Sequence, residues 1–136
     1  MDAGETFYAF EKAWNSGDLE KAFSYCAKDY AFESSSGAST KGREKIKALM
    51  EGWLQAFPDL RFETKNVFAS GSKAAAEYVM RGTQKKEFRG LPATGKSFAV
   101  KCCSILEFEG GVFTRENAYF DMTTLMRQLG HIPSAA

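Results

Sequence analysis

The chain has too little charge imbalance to suggest a polyanionic partner: 18 basic and 17 acidic side chains leave a net +1 over 136 residues. The lysine-rich stretches, Lys41 to Lys47 and Lys85-Lys86, are short and interrupted, so they read as solvated faces. Nucleic acid and an anionic membrane are not expected as partners. Long apolar runs are also missing, and the opening MDAGETFYAF is acidic and aromatic, so neither a signal peptide nor a membrane span is expected. Histidine is nearly absent; His131 stands alone in what reads as a surface tail. Cys26, Cys102 and Cys103 are odd in number and lack metal-ligand spacing, which favours reduced thiols and a cytoplasmic setting. With no histidine beside them to draw off the proton, they read as small core residues rather than nucleophiles. No repeat and no linker divides the sequence, whose length suits a single domain over 1–136. No metal or cofactor is called for.

What the chain has in quantity is phenylalanine, 12 of them, distributed with clear periodicity. Phe7, Phe10 and Trp14 fall at helical spacing, and Leu19, Ala22, Phe23 and Cys26 repeat it after a break at Asn15-Ser16-Gly17-Asp18, where Asp18 can cap the second helix. Asp29 to Glu33 reads as a short strand, and Ser34 to Ser39 as a loop. Ile46, Leu49, Met50, Trp53, Leu54 and Phe57 form an apolar stripe on a third helix stopped by Pro58. From Leu60 the period becomes two: one strand to Phe68, a turn at Ser70-Gly71-Ser72, a second strand through Tyr78 and Met80, a third over Ser97 to Glu109. Gly110-Gly111 then turns into a last strand ending near Asp121, followed by a short helix, Met122 to Leu129.

Helices first and antiparallel strands afterwards make an α+β plan. A curved sheet wrapped on three N-terminal helices leaves a cone, a concave and mostly apolar place for a small hydrophobic molecule. Strict alternation puts Phe62, Asn66, Phe68, Tyr78, Met80, Ser104, Leu106 and Phe108 on the concave face. Trp14, Trp53 and Phe57 supply core or pocket wall from the helices. The segment from Gly82 to Lys96 reads as a loop near the sheet rim.

Several segments together resemble the SnoaL-like polyketide cyclase family of the nuclear transport factor 2-like (cystatin-like) superfamily. They are Ala13 to Leu19, Gly42 to Ile46, Ala56 to Asp59, Arg81 to Gln84, Phe88 to Lys96, and Asp121 with Arg127 to Gly130. The resemblance spans nearly the whole chain and implies the same cone, often dimeric through the outer face of the sheet. It also implies a cyclisation without metal or cofactor, in which an aspartate acts as general acid/base with a histidine nearby. Carried over residue by residue, the aspartate falls on Ala118, its partner histidine on Ser104, and a further histidine on Gln84. A one-residue slip at Gly110-Gly111 would place Asn117 at the acid position. In either register the family's proton-transfer groups are missing.

Two carboxylates could replace them. If Ala118 faces inward then Thr114, Glu116 and Phe120 do too, and Glu116 becomes a desolvated base. In the opposite phase Arg115, Asn117, Tyr119 and Asp121 face in, and Asp121 is the candidate; it also suits a helix N-cap. Tyr78 and Tyr119 are candidate oxyanion donors, with Asn66 and Gln84 as weaker versions. Three readings stay open from the residues alone: a cofactor-free cyclase or isomerase, a binding module for a hydrophobic ligand, or a dimeric interaction protein with a filled cone.

Overall fold

The computed structural model describes residues 1–133. Helix α1 (Ala3–Asn15) starts at Asp2, whose side chain accepts from the Glu5 N–H while Glu5 reaches back, a reciprocal capping box. Asp18 caps α2 (Leu19–Ser24). Strand β1 (Cys26–Ser34) begins three residues before the stretch expected from the sequence, and a short β2 (Ser39–Lys41) follows the serine-rich loop. Helix α3 (Arg43–Ala56) is followed by β3 (Arg61–Ser70), β4 (Lys73–Thr83), β5 (Ser97–Glu109), β6 (Val112–Tyr119) and α4 (Met122–Gln128). No helix among the described residues is long and apolar enough to cross a membrane.

The six strands form one sheet in the order β2-β1-β6-β5-β4-β3. Every pairing is antiparallel except β1 with β6, which run parallel. The sequence expectation of an α+β cone therefore holds, with one parallel pair in place of a purely antiparallel sheet. That pair makes β6 an interior strand, flanked by β1 and β5.

Three register shifts interrupt the sheet, one of them in β1 against β6 between Cys26 and Ala31, and the other two bear on the concave face expected from the sequence. Between Thr64 and Asn66 the register against β4 shifts, so that Asn66 pairs with Glu77 and Phe68 with Ala75. One extra residue, Lys65, reverses the phase of everything after it. Asn66 and Phe68 consequently face outward, Phe68 at 64% exposure, contrary to the strict alternation assumed from sequence. The second shift lies between Glu107 and Phe108, where Phe108 pairs with Phe113 and Glu107 with Arg115. Phe113 is therefore the inward residue at the start of β6, and Thr114 is taken up by the bulge.

Helix α3 lays Ile46, Trp53 and Ala56 into the core, and Phe57 just beyond it is fully buried. Phe57 touches Trp53, Phe88 and Phe98 with ring centroids 5.0 to 5.8 Å apart. Gly82 admits this cluster: a Cβ there would lie 3.0 Å from the Phe98 ring and 3.2 Å from Phe57 Cβ. A side chain at position 82 would have to displace one of the two rings.

Candidate functional site

Glu116 points into the concave face, with Ala118 two residues along the same side of β6. Its carboxylate lies inside the protein although the residue as a whole keeps slight solvent access. Two hydroxyls donate to it, one from each neighbouring strand. Tyr30 of β1 donates to Oε1, and Ser104 of β5 donates to Oε2 at 2.5 Å. Tyr78 of β4 extends the chain, its hydroxyl 2.8 Å from Ser104 Oγ. Ser104 is fully buried and Tyr30 and Tyr78 nearly so.

The register explains where the carboxylate ends up. Ser104 pairs across the ladder with Ala118, and Leu106 pairs with Glu116. The Glu116 side chain nevertheless bonds Ser104, so it leans along the strand toward the space above the Ala118 methyl. Residues two apart on one strand are separated by roughly 7 Å, and the reach of a glutamate covers much of that.

Burial raises the pKa of Glu116 above its ordinary value, and the Ser104 and Tyr30 hydroxyls pull it partly back. The Tyr30 and Tyr78 phenols are held well above their ordinary range by burial and by the nearby Glu116 charge, so both remain protonated donors. A carboxyl whose folded pKa is raised contributes stability that is complete below about 4.5, its ordinary value, and lost as pH rises through the folded value. Glu116→Gln is therefore expected to melt above the wild type at neutral pH, by about 1 kcal/mol of stability on the scale of functional-site replacements. The difference should shrink as pH falls toward 4.5. Parallel thermal melts across that range check it; a gap that widens at low pH would contradict the assignment.

Around this network lies a cavity of about 100 Å³, walled by α1, α2, α3 and the sheet. Phe7, Phe10, Phe62, Tyr78, Met80, Leu106 and Phe113 form its apolar lining, and Met50, Trp53, Arg89 and Phe120 stand on the α3 side. Of the residues proposed from sequence to contact a ligand, Trp53, Phe62, Tyr78, Met80, Leu106 and Ala118 line this cavity, and Ser104 joins it through Glu116.

The others do not. Trp14 is core, its indole N–H donating to the Leu60 carbonyl at 2.8 Å, and Phe57 lies behind Trp53 in the aromatic cluster. Asn66 bonds Glu77 on the surface, and Phe108 packs on Phe113 beyond the cavity. Tyr119 is on the convex face at 51% exposure, as the phase of β6 requires. Asp121 caps α4, accepting from the Thr123 and Thr124 N–H groups and from the Thr124 hydroxyl. Those donors hold its carboxyl below the ordinary carboxylate range, so it serves as a cap and not as a pocket acid. Gln84 is fully buried outside the cavity, donating to the Lys86 and Leu91 carbonyls. Its Oε1 lies 2.7 Å from His131 Nε2, so His131 is a partner of the 84–96 loop rather than a free tail.

Sequence reasoning did not single out Tyr30, although the expected strand Asp29 to Glu33 contains it, because its pairing with β6 joins residues far apart in the chain. The alternation of Tyr30 and Phe32 with Asp29, Ala31 and Glu33 was the available signal. Burial pushes the thiols of Cys26 and Cys102 up to about 12, which keeps both protonated and unreactive.

Comparison with known proteins places this geometry in context. AclR of Streptomyces galilaeus, a proposed hydroxylase, is 27% identical and superposes with a TM-score of 0.84, covering 98% of this chain and 83% of its own. IdmH of Streptomyces antibioticus, a proposed polyketide cyclase, is 25% identical with a TM-score of 0.83, covering 96% and 99%. A Catenulispora acidiphila protein with a ketosteroid isomerase-like fold is 20% identical with a TM-score of 0.81, covering 93% and 92%, a likeness of fold alone. A comparison with curated proteins found no match. The family model for SnoaL-like polyketide cyclases matches residues 5–129, and the chain belongs to that family.

Proposed function

We propose that this protein is an acid/base catalyst acting on a small, largely apolar carbonyl compound, with Glu116 as the group that takes and returns the proton. One observation carries the reading. A titratable carboxylate, held by hydroxyls from both flanking strands, stands in an apolar cavity on the face where the family resemblance calls for an acid. Ala118 has lost that acid, and Glu116 restores a carboxylate beside Ser104, from two residues earlier.

The raised pKa suits a base that must both accept and release a proton near neutral pH. Glu116 would remove a proton from the carbon next to the substrate carbonyl, leaving an enolate. The proton then returns to that carbon, to another, or to an oxygen formed when the enolate attacks a second carbonyl. These outcomes are exchange, isomerisation and ring closure respectively. Exchange is the simplest to follow: a 1,3-diketone probe incubated in D₂O should lose its α-proton signal faster with the wild type than with Glu116→Gln. Equal rates for the two proteins would reject the proposal.

The convex face supports a second element of the reading, a homodimer. Phe68, Ala75, Ile105 and Asn117 fall in one row across four strands, with Phe68 and Ile105 well exposed. Asn117 Oδ1 has no hydrogen-bond partner despite its burial. Ile105→Lys is expected to convert a dimeric sedimentation species into monomer, and an unchanged sedimentation coefficient would count against this face.

A further inference from the structure

The cavity has a cation at its edge that the proton-transfer chemistry does not use. Arg89 lines the cavity yet is exposed, so it stands where cavity meets solvent. Its guanidinium carbon lies 4.9 Å from the centre of the Phe88 ring and 5.5 Å from that of Trp53. Both aromatic faces thereby orient it. Among the described residues Arg89 forms no ion pair, whereas Arg43, Arg81 and Arg115 each lie beside a glutamate.

The backbone beneath it is unusual. Phe88 and Leu91 exchange both backbone hydrogen bonds at 2.9 Å, closing a two-residue turn. Its central residues, Arg89 and Gly90, have φ of 50° and 84°. That is the pattern of a type I′ turn, which favours asparagine, aspartate or glycine at both places. Arg89 is the one non-glycine residue with positive φ among the described residues. A bulky side chain is thus kept in a disfavoured conformation at the rim of a pocket, where such strain accompanies ligand contact. Ser34 and Ser36 also line the cavity, their hydroxyls 2.8 Å apart.

We propose that Arg89 is a specificity residue that anchors a carboxylate of the substrate at the cavity rim, so that the preferred ligands are aromatic or conjugated carboxylic acids with an apolar body. A guanidinium offers paired donors that match a carboxylate in one plane, and the rings behind it leave its outer edge free. This deepens the proposed function and rests on its reading of the cavity as the substrate site, but it does not depend on proton transfer by Glu116.

Binding of 2-naphthoate and of its methyl ester, followed by tryptophan fluorescence, tests it in the wild type, Glu116→Gln and Arg89→Asn. The acid should bind at least tenfold more tightly than the ester to the first two proteins. In Arg89→Asn the acid should lose at least tenfold while the ester is unchanged. Because asparagine suits the turn, that variant should melt at or above the wild-type temperature, which separates lost recognition from lost folding. Equal affinity of acid and ester in the wild type, absence of binding by either, or parallel loss of both in Arg89→Asn would overturn the proposal. Preference for the acid in Glu116→Gln alongside unchanged diketone exchange would leave the anchor standing and reject Glu116 as the base.

Discussion

Replacing Glu116 with glutamine is expected to slow α-proton exchange of a diketone probe by about 10²- to 10⁴-fold, the usual worth of a positioned general base. Glutamine keeps the shape, its carbonyl oxygen accepting from one of the two hydroxyls while its NH2 donates to the other, so the cavity should survive and the probe should still bind. The loss should therefore appear in kcat rather than in KM. The partners are expected to act differently. Ser104 and Tyr30 donate to the carboxylate and hold its pKa down against burial. Ser104→Ala should shift the ascending limb of the pH–rate profile to higher pH, since one stabiliser of the ionised form is gone. A profile that stays in place or moves to lower pH would show that Ser104 does not tune the base.

The largest stability effect is expected at Phe57. Its ring is fully enclosed by Trp53, Phe88 and Phe98, and Gly82 leaves room for it on the sheet. Phe57→Ala removes an aromatic ring from a site that cannot collapse, because its neighbours are themselves large and pinned. A loss of about 3–5 kcal/mol follows, a large part of the roughly 5–15 kcal/mol available to a domain. Urea unfolding should show a lower midpoint with an unchanged slope. Phe57→Leu should recover most of the loss. A deficit below about 1.5 kcal/mol for the alanine variant would mean that the cluster repacks.

Much of this architecture could be read from residue order. The apolar stripe from Ile46 to Phe57, the break at Asn15 to Asp18 and the Gly110-Gly111 turn each have a local cause, and each falls where expected. The concave face was read correctly on β4 and β5, because those strands alternate without interruption against one another from Lys73 to Thr83. It failed at Asn66 and Phe68 because a bulge is a matter of pairing between strands, whereas Phe108 keeps the inward phase of β5 and packs on Phe113. Lys65 is not distinguished from its neighbours by anything in its own sequence. Glu116 was legible once Ala118 was assigned inward, but the Tyr30 partner was not. The contact joins residues 86 apart through a parallel ladder, and no local pattern announces it. Arg89 escaped notice for a related reason: its significance lies in a backbone angle and in the rings beneath it.

The placement of β6 between β1 and β5 has a further consequence. The acid and its two hydroxyl partners ride on three adjacent strands whose spacing is fixed by main-chain hydrogen bonds. The cavity-lining residues Ser36 and Arg89 belong instead to the connections 35–38 and 84–96. On the proposed reading, the proton-transfer group and the ligand-anchoring group are therefore carried by separate parts of the chain. Loop exchange at the rim could redirect the protein toward new ligands while the sheet keeps its acid in register, which makes the two connections the natural place to begin altering its substrate range.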